Sequence, residues 1–267
     1  MKIILIAIVL LSGLQYASAD ITLTFSDALK NSDNTSVIYS IKDQQLKFVE
    51  PGQNKLNIYN AKTEAFVSLQ VQSGQSSTLN KQQLNLRVNQ LNKERLKTLE
   101  EVEKKLRKDL PSMTSAQQEA AETLLNIYKY PELYGEHTSL IVKSMNRTKV
   151  VNGISCKVYH LYKLADLKTS FCFADAQSLK ISDADYKTLR RFYAFNYAMQ
   201  SQMLIAMGKT KFTFIDYDQH DMPGVLIESI RYKKPPRQKT EISFHSALKH
   251  VSHSSLKEAD FTLPTQP

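Results

Sequence analysis

Val37-Ile38-Tyr39-Ser40-Ile41-Lys42-Asp43-Gln44-Gln45-Leu46-Lys47-Phe48-Val49-Glu50 decides the fold class. Apolar and polar residues alternate on both sides of Asp43-Gln44-Gln45, which is the pattern of two half-buried strands joined by a hairpin turn. The same period of two runs outward from about 21 to 71. Pro51-Gly52-Gln53-Asn54 makes a second turn, followed by Leu56-Asn57-Ile58-Tyr59 and then Ala65-Phe66-Val67-Ser68-Leu69. Strands joined this closely in sequence form an antiparallel meander. Nothing in it carries chemistry.

Beyond a polar linker at 73–80 the period becomes helical. Leu84, Val88, Leu91, Leu99, Val102 and Leu106 fall on one stripe of a long helix. Glu100–Lys104, Glu101–Lys105 and Glu103–Arg107 are i,i+4 pairs in the favourable order. Leu110-Pro111 ends this helix. Thr114-Ser115-Ala116-Gln117-Gln118 offers a capping box for a second, running to about 129. A helical hairpin at about 81–129 is therefore inserted between strands. It either projects as an arm for a partner or covers one face of the sheet.

Strands resume at 138–151. The chain's two cysteines, Cys156 and Cys172, come next, on strands expected at 154–161 and 168–174. A three-residue loop at 163–165 would set 156 directly opposite 172. That register brings the Cα atoms to about 4.5–5.5 Å, within disulfide reach. A redox or metal role lacks both a C-x-x-C spacing and further ligands. Ser182-Asp183-Ala184-Asp185 can cap a third helix, with acids where the helix dipole favours them, and Gly208 can end it. Its interior holds Leu189, Phe192, Tyr193, Phe195 and Tyr197, with Met199, Met203 and Met207 at i, i+4, i+8. Such a set either lines a site for apolar ligands, with Phe192, Met199 and Met203 as its contacts, or is plain core. Further strands are expected at 211–215, 225–232 and 240–244, the last continuing toward 251.

The N-terminus reads as a leader. Lys2 supplies a positive charge, 3–11 is apolar, and Ala17-Ser18-Ala19 is a small-x-small cleavage signal before the polar Asp20. The apolar run is far short of the roughly 20 residues that span a bilayer. No cysteine near the cut can take a lipid anchor, and no later stretch is apolar enough to span. The expected product is a soluble, exported, periplasmic chain beginning at Asp20. In that compartment an even cysteine pair is most simply a disulfide.

The remaining 248 residues are treated as one domain, 20–267, and 42% hydrophobic content supports a core. Loss of Lys2 takes the net charge from +9 to +8. Export disfavours nucleic acid, so the basic balance points to an anionic envelope surface, an acidic partner, or simply to solubility. There is no G-x-S-x-G, no H-E-x-x-H, no P-loop and no dinucleotide fingerprint, so neither catalysis nor a cofactor is expected. His245, His250 and His253 lack the spacing and companions of a metal site. The run Asp216-Tyr217-Asp218-Gln219-His220-Asp221 lacks the glycine and distal glutamate of a calcium loop and reads as a solvated turn.

Four phrases carry a resemblance. They are Tyr39-Ser40-Ile41-Lys42-Asp43-Gln44-Gln45-Leu46-Lys47, Leu56-Asn57-Ile58-Tyr59, Val151-Asn152-Gly153-Ile154-Ser155-Cys156-Lys157-Val158-Tyr159 and Pro223-Gly224-Val225-Leu226-Ile227-Glu228-Ser229. With the order of elements, they resemble an uncharacterised family of bacterial secreted domains similar in shape to the outer-membrane lipoprotein carriers. The resemblance implies an α+β fold: a large curved antiparallel sheet of roughly ten strands, an incomplete barrel, with helices across its opening. The hairpin at 81–129 departs from that pattern. Two functions follow as expectations. In one, a lipid, acyl chain or lipoprotein sits between the sheet and the Met-rich helix. In the other, an envelope protein binds through the hairpin and its basic face.

Overall fold

The computed structural model describes residues 20–29, 35–130, 140–207, 215–233 and 240–262. The leader at 1–19, with its cut after Ala19, lies outside the described residues, as do Gly208 and the expected strand residues 138–139 and 211–214.

Six strands open the chain: β1 (Ile21–Asp27), β2 (Thr35–Lys42), β3 (Gln45–Val49), β4 (Lys55–Asn60), β5 (Ala65–Gln70) and β6 (Ser76–Leu79). Two helices follow, α1 (Lys81–Asp109) and α2 (Ser115–Lys129), then β7 (Leu140–Val151), β8 (Ile154–Lys163) and β9 (Asp166–Ala174). The helix α3 (Asp183–Met207) precedes β10 (Val225–Lys233) and β11 (Glu241–His253). All eleven strands form one antiparallel sheet in the order β6-β5-β4-β3-β2-β1-β11-β10-β9-β8-β7. The fold is α+β, and its sheet is not closed into a barrel. β1 pairs with β2 on one side and β11 on the other, so the two ends of the chain meet mid-sheet. β6 and β7 are the edges, and the α1–α2 hairpin carries the chain from one to the other.

Tight turns hold the meander in register. Asp43 and Gln44 both have positive φ, 48° and 66°, and join β2 to β3 as a two-residue turn one residue shorter than the sequence suggests. Positive φ at both central positions gives a turn the twist of the flanking strands. Asn152-Gly153 does the same between β7 and β8. The segment read as a polar linker is not one throughout. Ser76–Leu79 pairs with β5 as β6, and Asn80 caps α1. Its short polar side chains hid a strand whose only reason to form is the neighbouring edge.

The cysteine hairpin corrects a register. Val158, not Cys156, lies opposite Cys172, and Cys156 lies opposite Ala174. A two-residue turn at Leu164-Ala165 moves the pairing by one residue, and an irregularity between Leu161 and Tyr162 moves it by one more. A single step would have sent the cysteines to opposite faces. Two steps restore the parity, and the pair joins diagonally with Cα atoms 5.4 Å apart in a disulfide. β8 is buried on both faces at 158–161 and β9 at 169–174. Cys156, Val158 and Cys172 belong to the main core, while Tyr159, Leu161, Phe171 and Phe173 pack with Ile215 and Met222 in a second cluster.

α3 begins where its caps dictate. The Asp185 amide donates to Ser182 Oγ at 3.1 Å, and that hydroxyl donates to the Asp185 carboxylate at 2.8 Å. Asp183 is exposed, as an acid facing the helix dipole should be, but Asp185 is buried. Burial pushes the Asp185 carboxyl above its ordinary range against the pull of the Ser182 hydrogen bond, with Asp20 and Asp43 adding to the rise. The folded chain therefore holds this proton more tightly than the unfolded one. Stability from this group is greatest at low pH and falls as pH rises from about 3.9 through the raised folded value. Asp185→Asn keeps an acceptor for Ser182 and removes the buried charge. Its melting temperature should exceed that of the parent at pH 7 and match it near pH 3; an equal deficit at both would show that the charge is not costly.

Candidate functional site

α3 joins the sheet to the hairpin, using different faces for each. Phe192, 5% exposed, points into a ring of sheet aromatics. Its centroid lies 5.5 Å from Tyr59, 5.7 Å from Phe48 and 6.3 Å from Tyr39. One turn on, Phe195 meets Tyr59 at 5.2 Å and Phe66 at 6.4 Å. Tyr193 turns toward Tyr217 at 5.2 Å, and Tyr217 passes the contact to Phe173 at 5.1 Å. Pairs at these separations add about 0.5–1.5 kcal/mol each beyond burial. Arg190 fastens the same helix to the 216–221 turn, donating to the Met222 carbonyl at 2.9 Å and pairing with Asp218.

The phenols beneath α3 stay neutral. Burial, helped by Glu50, pushes Tyr39 up to about 12; burial, helped by Glu64, does the same to Tyr59. Tyr193 and Tyr217 are pushed up by burial too. These groups can donate a hydrogen bond but not exchange a proton near neutral pH. The environment suits an apolar contact surface rather than acid–base chemistry.

Met199 and Met203 do not share that environment with Phe192. They pack against Leu84 and Val88 of α1, with Leu79 and Leu91 beside them. The three residues singled out as one lining are therefore divided, Phe192 on the sheet and the two methionines at the seam between α3 and α1. The i, i+4 spacing correctly marks a contact stripe, but only the tertiary arrangement tells which element it meets.

The hairpin docks by its base. Asn80 and Gln83 form a capping box for α1, and Thr114 and Gln117 form the expected one for α2. Arg95 donates to the Tyr128 carbonyl and to Asn92 Oδ1, the latter at 2.6 Å. Glu103 takes Arg107 at 2.7 Å and also Lys129 of α2. The hydrogen bond from Lys129 and then that from Arg107 lower its pKa. Leu84, Val88 and Leu99 are buried, yet Val102 is 48% exposed although it lies in phase with Leu84. Leu84 has α3 beneath it. Further along, its neighbour among the described residues is α2, and the stripe is partly bare there.

No residue of α2 is buried. Along one side of it Ala121, Leu125 and Tyr128 are half-buried. The other side presents Ala116, Ala120, Thr123, Leu124 and Ile127, which with Glu119 line a shallow groove of about 440 Å³. Leu124 is 56% exposed. An amphipathic helix normally buries such a face. A second hollow, of about 350 Å³, is polar and lies at the β2–β3 turn among Lys42, Asp43, Gln44, Gln45, Lys62, Glu258 and Phe261. Beside it Asp20 accepts from Lys42 Nζ at 3.1 Å and from the Leu256 amide at 2.7 Å.

The three histidines near the C-terminus all fall on β11. His245 Nε2 lies 2.9 Å from Glu228 Oε1, while His250 and His253 stand opposite Thr24 and Ile21. The 216–221 segment is a turn in which Asp216 Oδ1 accepts the amides of Asp218 and Gln219 at 3.0 Å. Among the described residues no helix is long and apolar enough to cross a membrane. No family model matches the chain, and no curated protein matches it in sequence.

Proposed function

We propose that this is a non-enzymatic binding protein of the cell envelope, exported to the periplasm and working through the α1–α2 hairpin on a protein partner. The observation behind this reading is a 15-residue amphipathic helix with none of its residues buried, held out on a base anchored to α3. Its apolar face costs solubility without serving the core, which is the usual mark of an interaction surface. Glu119 in the groove favours a partner that brings an apolar helix face flanked by a cation. The disulfide supports an oxidising compartment. Asp20, which cleavage after Ala19 would leave as the first residue, is tied down by its own side chain.

Leu124→Asp puts a charge in the groove at an exposed position, so folding should be unchanged by circular dichroism. Capture of the envelope partner should weaken by about 30-fold, the effect of losing a hot spot worth about 2 kcal/mol. Equal capture by parent, Leu124→Asp and a chain lacking 81–129 would sink the reading.

The aromatic surface under α3 favours a second reading, drawn from the resemblance to lipoprotein carriers: a lipid or acyl chain held between α3 and the sheet. Phe192 would be its contact on the sheet side, and Met199 and Met203 would mark the seam that opens. Native mass spectrometry after gentle purification should then show bound lipid mass, and a bare chain would count against it.

A further inference from the structure

β7 carries three cations within seven residues, Lys143, Arg147 and Lys149. They are not equivalent. Lys149 reaches Glu228, which is 5% exposed and also takes His245 Nε2 at 2.9 Å. Lys143 and Arg147 have no ion-pair partner among the described residues.

The pairing of β7 with β8 breaks between Ser144 and Thr148, with Asn146 at φ 49°. Interruptions of this kind re-aim side chains at sheet edges. Lys143 lies opposite His160, and residues directly opposite share a face of the sheet. Its ammonium stands 5.5 Å from the centre of the Tyr162 ring, whose hydroxyl is 3.2 Å from His160 Nδ1. Arg147 is close enough for its charge to be felt on the buried His160 ring. Burial first, and Arg147 second, hold that imidazole below its ordinary pKa. Burial and Glu228 raise the Tyr232 pKa, and the charge of the same guanidinium opposes the rise.

We propose that Lys143, Arg147, His160 and Tyr162 form a binding site for a small oxyanion, a phosphate or a carboxylate, separate from the hairpin surface. Arg147 supplies a planar fork for two oxygens, Lys143 a point charge, and the hydrogen-bonded Tyr162–His160 pair one neutral donor. Glu228 keeps Lys149 and His245 occupied and so leaves the other two cations to the ligand. An anion there offsets the repulsion that Arg147 exerts on a charged His160.

The test uses the full chain, following the His160 imidazole and the β7 amides by NMR. Inorganic phosphate and, separately, acetate are titrated against chloride at constant ionic strength. Phosphate should give saturable shifts confined to β7 and β8 and should raise the His160 pKa. Saturation by acetate as well assigns a general oxyanion site, and its absence assigns phosphate. Arg147→Gln should weaken binding by about tenfold or more, the loss of a charge-assisted hydrogen bond. Lys143→Gln serves as an independent variant, and Lys105→Gln on the hairpin should change nothing. Shifts no larger than those from chloride, shifts centred elsewhere, or full affinity in both Arg147→Gln and Lys143→Gln would overturn the proposal.

Discussion

Phe192→Ala is expected to destabilise the protein by about 3–5 kcal/mol, the usual loss for a buried phenylalanine cut to alanine. The side chain is 5% exposed and sits within 6.4 Å, centroid to centroid, of Tyr39, Phe48, Tyr59 and Tyr193. Two contributions add. One is the lost transfer of the ring from water. The other is a cavity walled by rings that are fixed to strands and to α3 itself and cannot close in independently. For a chain of this size each kcal/mol moves the melting temperature by roughly 2–4 °C, so a fall of about 10 °C is expected. A urea titration should show a lower midpoint with an unchanged slope. A shift below about 3 °C would mean that the aromatic contacts under α3 are loose. That outcome would favour the reading in which α3 yields to an apolar ligand.

The second large effect is loss of the disulfide. Cys156 and Cys172 are 16 residues apart in sequence, and closing a loop of about that length stabilises by about 3 kcal/mol in the chain-entropy model. Both residues are buried in the main core, so the Cys156→Ala/Cys172→Ala variant loses some packing as well. The melting temperature should fall by about 6–12 °C. A reductant should bring the parent close to the variant and leave the variant where it is. If reduction leaves the parent unchanged while the variant is still destabilised, the contribution is packing and not the crosslink.

The local signals in this chain were readable because they depend on neighbours in sequence. Alternation from 37 to 50, the Thr114 capping box and the Pro111 stop each describe one turn or one strand pair, and the structure has each of them. β6 was not readable. Three small polar residues and Leu79 form a strand because β5 offers them an edge. Asp185 looked like its neighbour Asp183, yet one is buried and the other exposed. The candidate lining is divided in a similar way. Phe192, Met199 and Met203 share a helix, but successive stripes of that helix meet different elements. The cluster at Lys143, Arg147 and His160 had no motif to announce it. Lys143 meets His160 through a register across two strands, and Arg147 lies in the irregularity of one of them.

From the sequence alone came the α+β class, the antiparallel meander, the inserted helical hairpin and the bridging of Cys156 to Cys172. Period, caps and turn residues act over a few positions, and a diagonal disulfide tolerates an error of two in register. The tertiary structure decided that β1 lies beside β11, that α1 rests on α3, that α2 is left with a bare apolar face, and that the cysteines pair diagonally. These outcomes depend on which surfaces meet after the chain has closed loops of tens of residues. The same hydrophobic pattern is buried at Leu84, which packs on α3, and half-exposed at Val102, further along the helix.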